Sequence, residues 1–335
     1  MKTSDFDYNL PVESIAQTPI EPRDSSRLLV LDRKTGQMTH HIFREIGNFL
    51  NPADLLVLNQ TRVIPARLFA QKPTGGRVEL LLLRREDSLR WECLVGGKGL
   101  SRGKSISVEN GPKAEITDVL DGSRRRIRFS EPIEPFFPAA GHVPLPPYIH
   151  TALADPERYQ TVYARDPGSA AAPTAGLHFT PGLLTNLENS GVKIAHITLH
   201  VGLDTFAPVT EDDPTEHRIH TEWCELTRPA VDLINQTRRE AGRVVAVGTT
   251  SVRTLESLKQ EFPFKPFAGP TDLFILPGYK FRLVDVMVTN FHLPRSTLLM
   301  LVSAFAGRET ILNAYEIAIR EGYRFYSFGD AMLIL

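Results

Sequence analysis

The chain has little of what would hold a small secreted protein or a metal cluster together. Its 335 residues include only two cysteines, Cys93 and Cys224. Two thiols cannot build a disulfide framework or a four-thiolate metal site, so neither kind of site is expected. The scarcity of cysteine fits a reducing compartment.

Long apolar segments and a strong charge of either sign are also missing. The longest apolar run, residues 297–305, is far shorter than the roughly 18 residues of a membrane-spanning helix. The first eight residues lack the apolar core of a signal peptide. We therefore expect a cytoplasmic protein. The net charge of −1 argues against a uniformly basic surface for nucleic acid, which leaves only local patches such as the arginines in 84–90 and 124–128.

Common nucleotide-binding motifs are absent as well. No GxGxxG motif opens a βαβ unit. The nearest approach to a P-loop has three residues between Gly99 and Gly103 where four are required, and residues 105–108 after it have the pattern of a strand. We interpret this segment as a loop of a β-domain.

The patterns that are present predict two domains, as the length also suggests. Short alternating runs separated by glycine turns between residues 66 and 130 indicate a small barrel or sandwich, and a proline-rich exit follows it. We predict an inserted, all-β, barrel-like domain over residues 62–149. Strands alternate with helices from residue 150 onward, and two of the predicted strands cover residues 283–288 and the segment from Tyr323 onward. This alternation predicts an α/β domain with a mostly parallel sheet over residues 1–61 and 150–335.

Two segments have an unusual density of small and hydroxyl residues around one histidine. They are GSAAAPTAGLHFT at residues 168–180, with His178, and TNFHLPRST at residues 289–297, with His292. Loops of this composition bring backbone N–H groups and a titratable ring to a ligand, so we predict that both histidines are catalytic. We predict that His200, at the end of a strand, is catalytic as well. We expect exposed imidazoles, whose replacement by alanine would reduce turnover and barely change the melting temperature.

A strand followed by Gly248 and a helix start rich in hydroxyl groups predicts a site for an anion or a polar ligand. Arg253 in this helix can clamp a carboxylate. A well-capped junction between strand and helix is the alternative. Asp330, beside a glycine near the C-terminus, is either a site residue or a turn residue.

His217, His220 and Glu222 have side chains of the types that bind metals, but they lack the HExxH order of a helical zinc site. Binding of substrate, structural polar contacts and a metal centre are the three alternatives for them. We predict substrate binding and no metal.

Across nearly its whole length the chain resembles the S-adenosylmethionine:tRNA ribosyltransferase-isomerase (QueA) family of queuosine biosynthesis. The resemblance includes DFDY at 5–8, NQTRVIPAR at 59–67 and VPLPPY at 143–148. It continues in the two histidine segments, the Gly248 turn and residues 323–334. Asp204 departs from the glycine expected at its position.

The resemblance implies a specific reaction. The ribosyl part of S-adenosylmethionine is transferred to 7-aminomethyl-7-deazaguanine at the wobble position of tRNA and becomes an epoxycyclopentane ring, while adenine and methionine leave. S-Adenosylmethionine is then a consumed substrate, no cofactor is needed, and the partners are tRNA and S-adenosylmethionine. We expect a monomer without membrane contacts.

On this interpretation His178, His292 and His200 form the catalytic group. The predicted substrate-binding residues are Pro173, Thr174, Gly176, His217, His220, Glu222, Gly248, Thr249, Thr250, Arg253, Asn290 and Asp330. Two rival hypotheses remain open. One is a non-catalytic RNA-binding protein, and the other is a metal hydrolase that uses His217, His220 and Glu222.

Overall fold

The computed structural model describes residues 1–202 and 209–335, which contain a run of strands between residues 55 and 129 and, after it, strands interspersed with helices. The strands are β1 Arg27–Leu31, β2 Met38–Ile42, β3 Leu55–Asn59, β4 Thr61–Val63, β5 Arg67–Gln71, β6 Arg77–Arg85, β7 Arg90–Gly96, β8 Ser105–Val108, β9 Lys113–Val119, β10 Arg124–Phe129, β11 Gly141–His142, β12 Asp166–Ser169, β13 Lys193–Leu199, β14 Glu222–Leu226, β15 Val244–Val247, β16 Phe267–Thr271, β17 Val286–Asn290 and β18 Ala331–Ile334. The α-helices are α1 Phe137–Ala140, α2 Pro181–Asn189, α3 Arg228–Arg239, α4 Thr249–Glu256, α5 Thr297–Ala306 and α6 Arg308–Arg320.

Short 3-10 helices connect these elements. They are Thr3–Phe6, Val12–Ser14, Arg23–Ser25, Phe43–Phe49, Glu134–Phe136, Pro156–Tyr159, Thr174–His178 and Pro214–Glu216. No helix in residues 1–202 and 209–335 is long and apolar enough to cross a membrane.

Contacts between residues divide the chain into two units. The first contains Met1–Thr61, Pro147–Asp166 and Ala172–Leu335, and the second contains Arg62–Pro146 and Pro167–Ala171. That residues 62–149 form an inserted domain with these bounds stays a prediction.

The first unit is built on a nine-stranded sheet with the order β16-β14-β13-β3-β15-β17-β18-β1-β2. The four strands β13, β3, β15 and β17 run parallel, and β18 runs parallel to β1. The other four pairings are antiparallel. The predicted α/β class is therefore confirmed, with a sheet that is parallel at its centre and mixed towards its edges.

Both faces of this sheet are covered, as its uniformly apolar strands predict. Leu55 and Val57 of β3 contribute to one apolar cluster, and Leu56 and Leu58 of the same strand contribute to another. Successive side chains of a strand point to opposite faces, so the sheet is packed on both sides. Polar residues consequently collect where the strands end.

The second unit contains a closed barrel. Its six antiparallel strands follow the order β5-β6-β7-β10-β9-β8, and β5 pairs with β8 to close the ring, while β11 extends β5. Alternate residues point inwards, among them Leu80 and Leu82 of β6 and Cys93 and Val95 of β7. This confirms the barrel-like domain predicted from the alternating runs.

Two strand predictions need correction. The strand predicted at 283–288 is β17, Val286–Asn290, and the strand predicted from Tyr323 onward begins only at Ala331. Asp330 accounts for the later start of β18, because its carboxylate accepts the backbone N–H groups of Arg324 and Arg27 at 2.8 and 2.9 Å. These bonds hold residues 324–330 in a turn.

An ion pair with a buried carboxylate joins the sheet at the edge where its parallel strands begin. Asp54 is 1% exposed and accepts hydrogen bonds from Nε and Nη2 of the half-buried Arg243 at 3.1 and 2.6 Å.

Replacing Asp54 by Asn should lower the free energy of unfolding by about 2 kcal/mol, because the half-buried guanidinium loses its charged hydrogen-bond acceptor. Urea denaturation measures this change. The control is Asp232→Asn, which breaks an exposed pair with Arg228 and should cost less than about 1 kcal/mol. Equal losses in the two variants would contradict the prediction.

Candidate active site

The main cavity of the first unit lies where the central strands end. Its volume, with the open solvent at its mouth included, is about 630 Å³. The residues that line it are Tyr148, Ala172, Pro173, Thr174, Ala175, Val201, Gly248, Thr249, Thr250, Thr289, Asn290, Phe291, His292, Leu293, Ser296, Leu298, Tyr326 and Ser327. The carboxyl ends of β13, β15 and β17 meet here, which is where open α/β sheets bind ligands.

The start of α4 forms a polar part of the cavity wall. Gly248 has a φ of 85°, which a side chain would strain, and it turns the chain from β15 into the helix. Thr249 and Thr250 follow in the first turn and are buried. Oγ1 of Thr250 has no hydrogen-bond partner among the described residues. A buried hydroxyl of this kind is ready to bond to a ligand.

A chain of hydrogen bonds connects the cavity to its surroundings. The hydroxyl of Thr174 donates to Oδ1 of Asn290 at 2.8 Å. Nδ2 of Asn290 donates to Nε2 of His178 at 3.2 Å, and Nδ1 of His178 lies 2.7 Å from the hydroxyl of Ser26. This order places the proton of the imidazole on Nδ1, directed at Ser26. His178 itself does not line the main cavity and contacts it through Asn290.

His292 does line the main cavity. Its Nε2 lies 2.7 Å from the hydroxyl of Thr289, and its backbone N–H donates to the hydroxyl of Tyr315 at 3.0 Å. Within residues 1–202 and 209–335, Nδ1 of His292 has no hydrogen-bond partner. One ring nitrogen is therefore held in place and the other is free to meet a ligand.

The structure corrects the expectation that these histidines are exposed. His178 is 4% and His292 is 9% exposed, and the ring of His178 stacks on Phe43. Burial lowers the pKa of each imidazole to about 3, and the positive charges of Arg324 and Arg23 add to this effect at His178. Both rings are neutral at physiological pH. Because they are buried, their replacement will affect stability as well as chemistry.

Aromatic residues form another wall of the main cavity. The rings of Tyr148 and Tyr326 are 4.7 Å apart, and the hydroxyl of Tyr148 lies 2.7 Å from that of Ser327. Tyr326 has a φ of 71°, which is rare for a bulky residue and typical of functional sites. The sequence analysis missed these three residues. Their only signal was that they lie within segments that carry the family resemblance.

A second cavity of about 440 Å³ holds the other predicted polar cluster. His217, His220, Glu222 and Arg253 line it. Arg253 and Glu222 form an ion pair through Nη1 and Oε2, and each side chain is only 4% exposed. Leu298 lines both cavities, so they are neighbours.

These contacts give no support to a metal centre at His217, His220 and Glu222. The carboxylate of Glu222 is bound by Arg253 and by the N–H of Gly202 at 2.9 Å, and Nδ1 of His217 lies 2.9 Å from Glu211. In the part of the chain that the structure describes, no three acidic, histidine or cysteine side chains are placed to hold a metal ion. The side-chain atoms of Glu222 and His217 that could bind a metal are thus engaged with other residues.

Besides His178, three predicted site residues line neither of these two cavities. His200 bonds to the hydroxyl of Thr61 at 2.9 Å and stacks on Trp223. Asp330 braces the turn before β18 through two backbone N–H groups. Gly176 packs so closely that an added Cβ would lie 2.0 Å from the hydroxyl of Tyr163. Asp204 lies outside the described residues.

Most arginines of the two clusters in the barrel are paired with acidic residues. The pairs are Arg84 with Glu86 and Glu92, Arg85 with Glu134, Arg90 with Asp87, Arg124 with Glu92, and Arg126 with Glu86 and Asp118. These carboxylates offset much of the positive charge. The barrel therefore presents a weaker basic patch to RNA than the runs of arginine suggest.

Comparison with known proteins places this fold and site in a family of enzymes. Residues 3–334 match the model of the queuosine biosynthesis protein family, and the chain belongs to that family. It is 53% identical to the S-adenosylmethionine:tRNA ribosyltransferase-isomerase of Carboxydothermus hydrogenoformans and 54% identical to that of Symbiobacterium thermophilum, over 100% of each chain. It is also similar to the crystal structure of S-adenosylmethionine tRNA ribosyltransferase from Thermotoga maritima, with 41% identity, a TM-score of 0.59, and coverage of 99% of this chain and 100% of that one. The resemblance inferred from the sequence is confirmed.

The lowered pKa values predict a loss of stability in acid. Below the ordinary histidine pKa of 6.5 the unfolded chain takes up protons at positions 178 and 292, but the folded chain does not until about pH 3. The free energy of unfolding should therefore fall by about 1.4 kcal/mol per pH unit for each of these residues as the pH decreases from 6.5. Above pH 6.5 this contribution does not change.

Urea denaturation between pH 7.5 and 5 tests this prediction. The slope is the change in the free energy of unfolding per pH unit. His178→Gln and His292→Gln should each reduce this slope by about 1.4 kcal/mol per pH unit, and the double variant should reduce it by twice as much. Slopes equal to that of the unmodified protein would show that these imidazoles titrate normally.

Proposed function

We propose that this protein transfers and isomerises the ribosyl group of S-adenosylmethionine onto 7-aminomethyl-7-deazaguanine at the wobble position of tRNA. The products are epoxyqueuosine-tRNA, adenine and methionine. The main support is the identity of 53% to full-length relatives with this enzyme name. On this proposal the protein works as a cytoplasmic monomer, consumes S-adenosylmethionine as a substrate and needs no resident cofactor.

The chemistry makes three demands on the protein. A base must take a proton from the carbon beside the sulfonium, which the positive charge acidifies. The attacking amine must be neutral. Adenine must receive a proton or a hydrogen bond as it leaves. Exclusion of water from the site would strengthen the hydrogen bonds that meet these demands.

The lining of the main cavity fits these demands. Among its described residues none is Asp, Glu, Lys or Arg, and His292 is the only imidazole. A neutral imidazole has a lone pair on one nitrogen and an N–H on the other, so it can accept or donate a proton. We assign proton transfer at the reacting centre to His292, with Thr289 holding its Nε2.

The remaining polar groups have positioning roles in this proposal. Asn290 and Thr174 bond to each other, and Thr250 offers a hydroxyl without a described partner. These groups suit the hydroxyls of a ribosyl group. The rings of Tyr148 and Tyr326 offer a surface on which a purine can stack. His178 holds Asn290 in place through its Nε2.

The products test this proposal directly. With S-adenosylmethionine and tRNA that carries 7-aminomethyl-7-deazaguanine, the protein should release adenine and methionine in equal amounts, and neither without that tRNA. Chromatography of the reaction measures both products. S-Adenosylhomocysteine among the products would mean methyl transfer and would overturn the proposal. Binding of tRNA without adenine release would favour the non-catalytic RNA-binding protein.

Substitution of the two buried histidines tests their separate roles. His292→Gln should reduce kcat by about 100-fold, because a proton transfer is lost. His178→Gln should reduce it less, because His178 reaches the cavity only through Asn290. Single-turnover rates, normalised to the folded fraction, separate this effect from the loss of stability that burial predicts.

The control for this test is His196→Gln. His196 is half-buried in β13 and does not line the main cavity, so this variant should keep near-normal turnover. Near-normal turnover of His292→Gln would remove the proton-transfer role. A larger loss for His178→Gln than for His292→Gln would reverse the two assignments.

A further inference from the structure

We propose that the second cavity binds the α-amino acid end of S-adenosylmethionine, with Arg253 bound to its carboxylate and Glu222 to its ammonium group. This inference rests on the proposed function and assigns one end of the substrate to particular residues. The nucleoside end would then occupy the main cavity.

Arg253 is a buried cation with an unused donor. Its side chain is 4% exposed, Nη1 pairs with Glu222, and Nε donates to the carbonyl of Leu273 at 3.1 Å. Nη2 is buried and has no hydrogen-bond partner among the described residues. A buried N–H without an acceptor is costly, and a carboxylate in the cavity would satisfy it with a charge-assisted bond.

Glu222 provides the complementary charge. Its carboxylate lines the second cavity and accepts hydrogen bonds from Arg253 and from the N–H of Gly202. The negative charge of this carboxylate attracts an ammonium group, which can form a charge-assisted hydrogen bond to it. A zwitterion placed against this ion pair brings one charge of each sign, so the complex has no net buried charge to stabilise. A simple anion would not have this advantage.

The two cavities are placed to hold one extended ligand. Helix α4 gives Thr250 to the main cavity and Arg253 to the second, three residues further along the same side of the helix. Leu298, at the start of α5, lines both. S-Adenosylmethionine has a nucleoside at one end and an amino acid at the other, joined by a short chain with a central sulfonium, which matches this arrangement.

The test compares S-adenosylmethionine with its decarboxylated form, which lacks only the carboxylate. Adenine release is measured for both with saturating tRNA that carries the precursor base. The unmodified protein should prefer S-adenosylmethionine by roughly 10- to 100-fold in kcat/KM. Arg253→Met should lose most of this preference and act on both substrates at similar, low efficiency. Arg253→Lys, which keeps the charge but not the paired donors, should give an intermediate preference even if Arg253→Met fails to fold.

The control is Arg243→Met, which breaks the pair between a half-buried arginine and the buried Asp54 at the opposite edge of the sheet. It should lose stability and keep the full preference. An unchanged preference in both Arg253 variants, or no preference in the unmodified protein, would overturn the amino-acid subsite and leave the proposed function standing. Absence of adenine release from S-adenosylmethionine by the unmodified protein would instead overturn the proposed function.

Discussion

The pairing of β17 with β18 is the constraint on which the site depends. Asn290, the last residue of β17, lies opposite Ala331, the first residue of β18, and Ala331 in turn lies opposite Leu28 of β1. The end of one strand and the beginnings of two others therefore meet at one edge of the sheet. This register brings Ser26 and the turn at 324–330 to the same edge as the ends of β13 and β15.

Burial divides the polar groups of the site into two kinds. The main cavity has hydroxyl, amide and imidazole groups, and burial keeps its histidine neutral. The second cavity contains a fully charged pair, Arg253 and Glu222. In a low dielectric a charged group is stable only when an opposite charge and hydrogen bonds compensate for its lost hydration, whereas a neutral polar group needs only hydrogen bonds. The neighbouring cavities thus offer a neutral and a charged environment to one ligand.

Local patterns predicted much of this arrangement, and long-range pairing accounts for the rest. The alternating runs of the barrel, the apolar runs of β1 and β3 and the glycine turn before α4 follow from neighbouring residues alone. The burial of His178 does not, because Phe43 and Ser26, more than 130 positions earlier, supply its stacking and hydrogen-bond partners. In the same way the acidic partners of the barrel arginines become visible only when the strand register is known.

The position of β18 has a consequence for how the protein folds. Residues 331–334 lie between β17 and β1, so this sheet pairs segments that are far apart in the chain. The six strands that close the barrel, by contrast, all lie between residues 67 and 129. Contacts between distant segments form more slowly than contacts between near ones. We therefore expect the barrel to form before the sheet that carries the main cavity is complete.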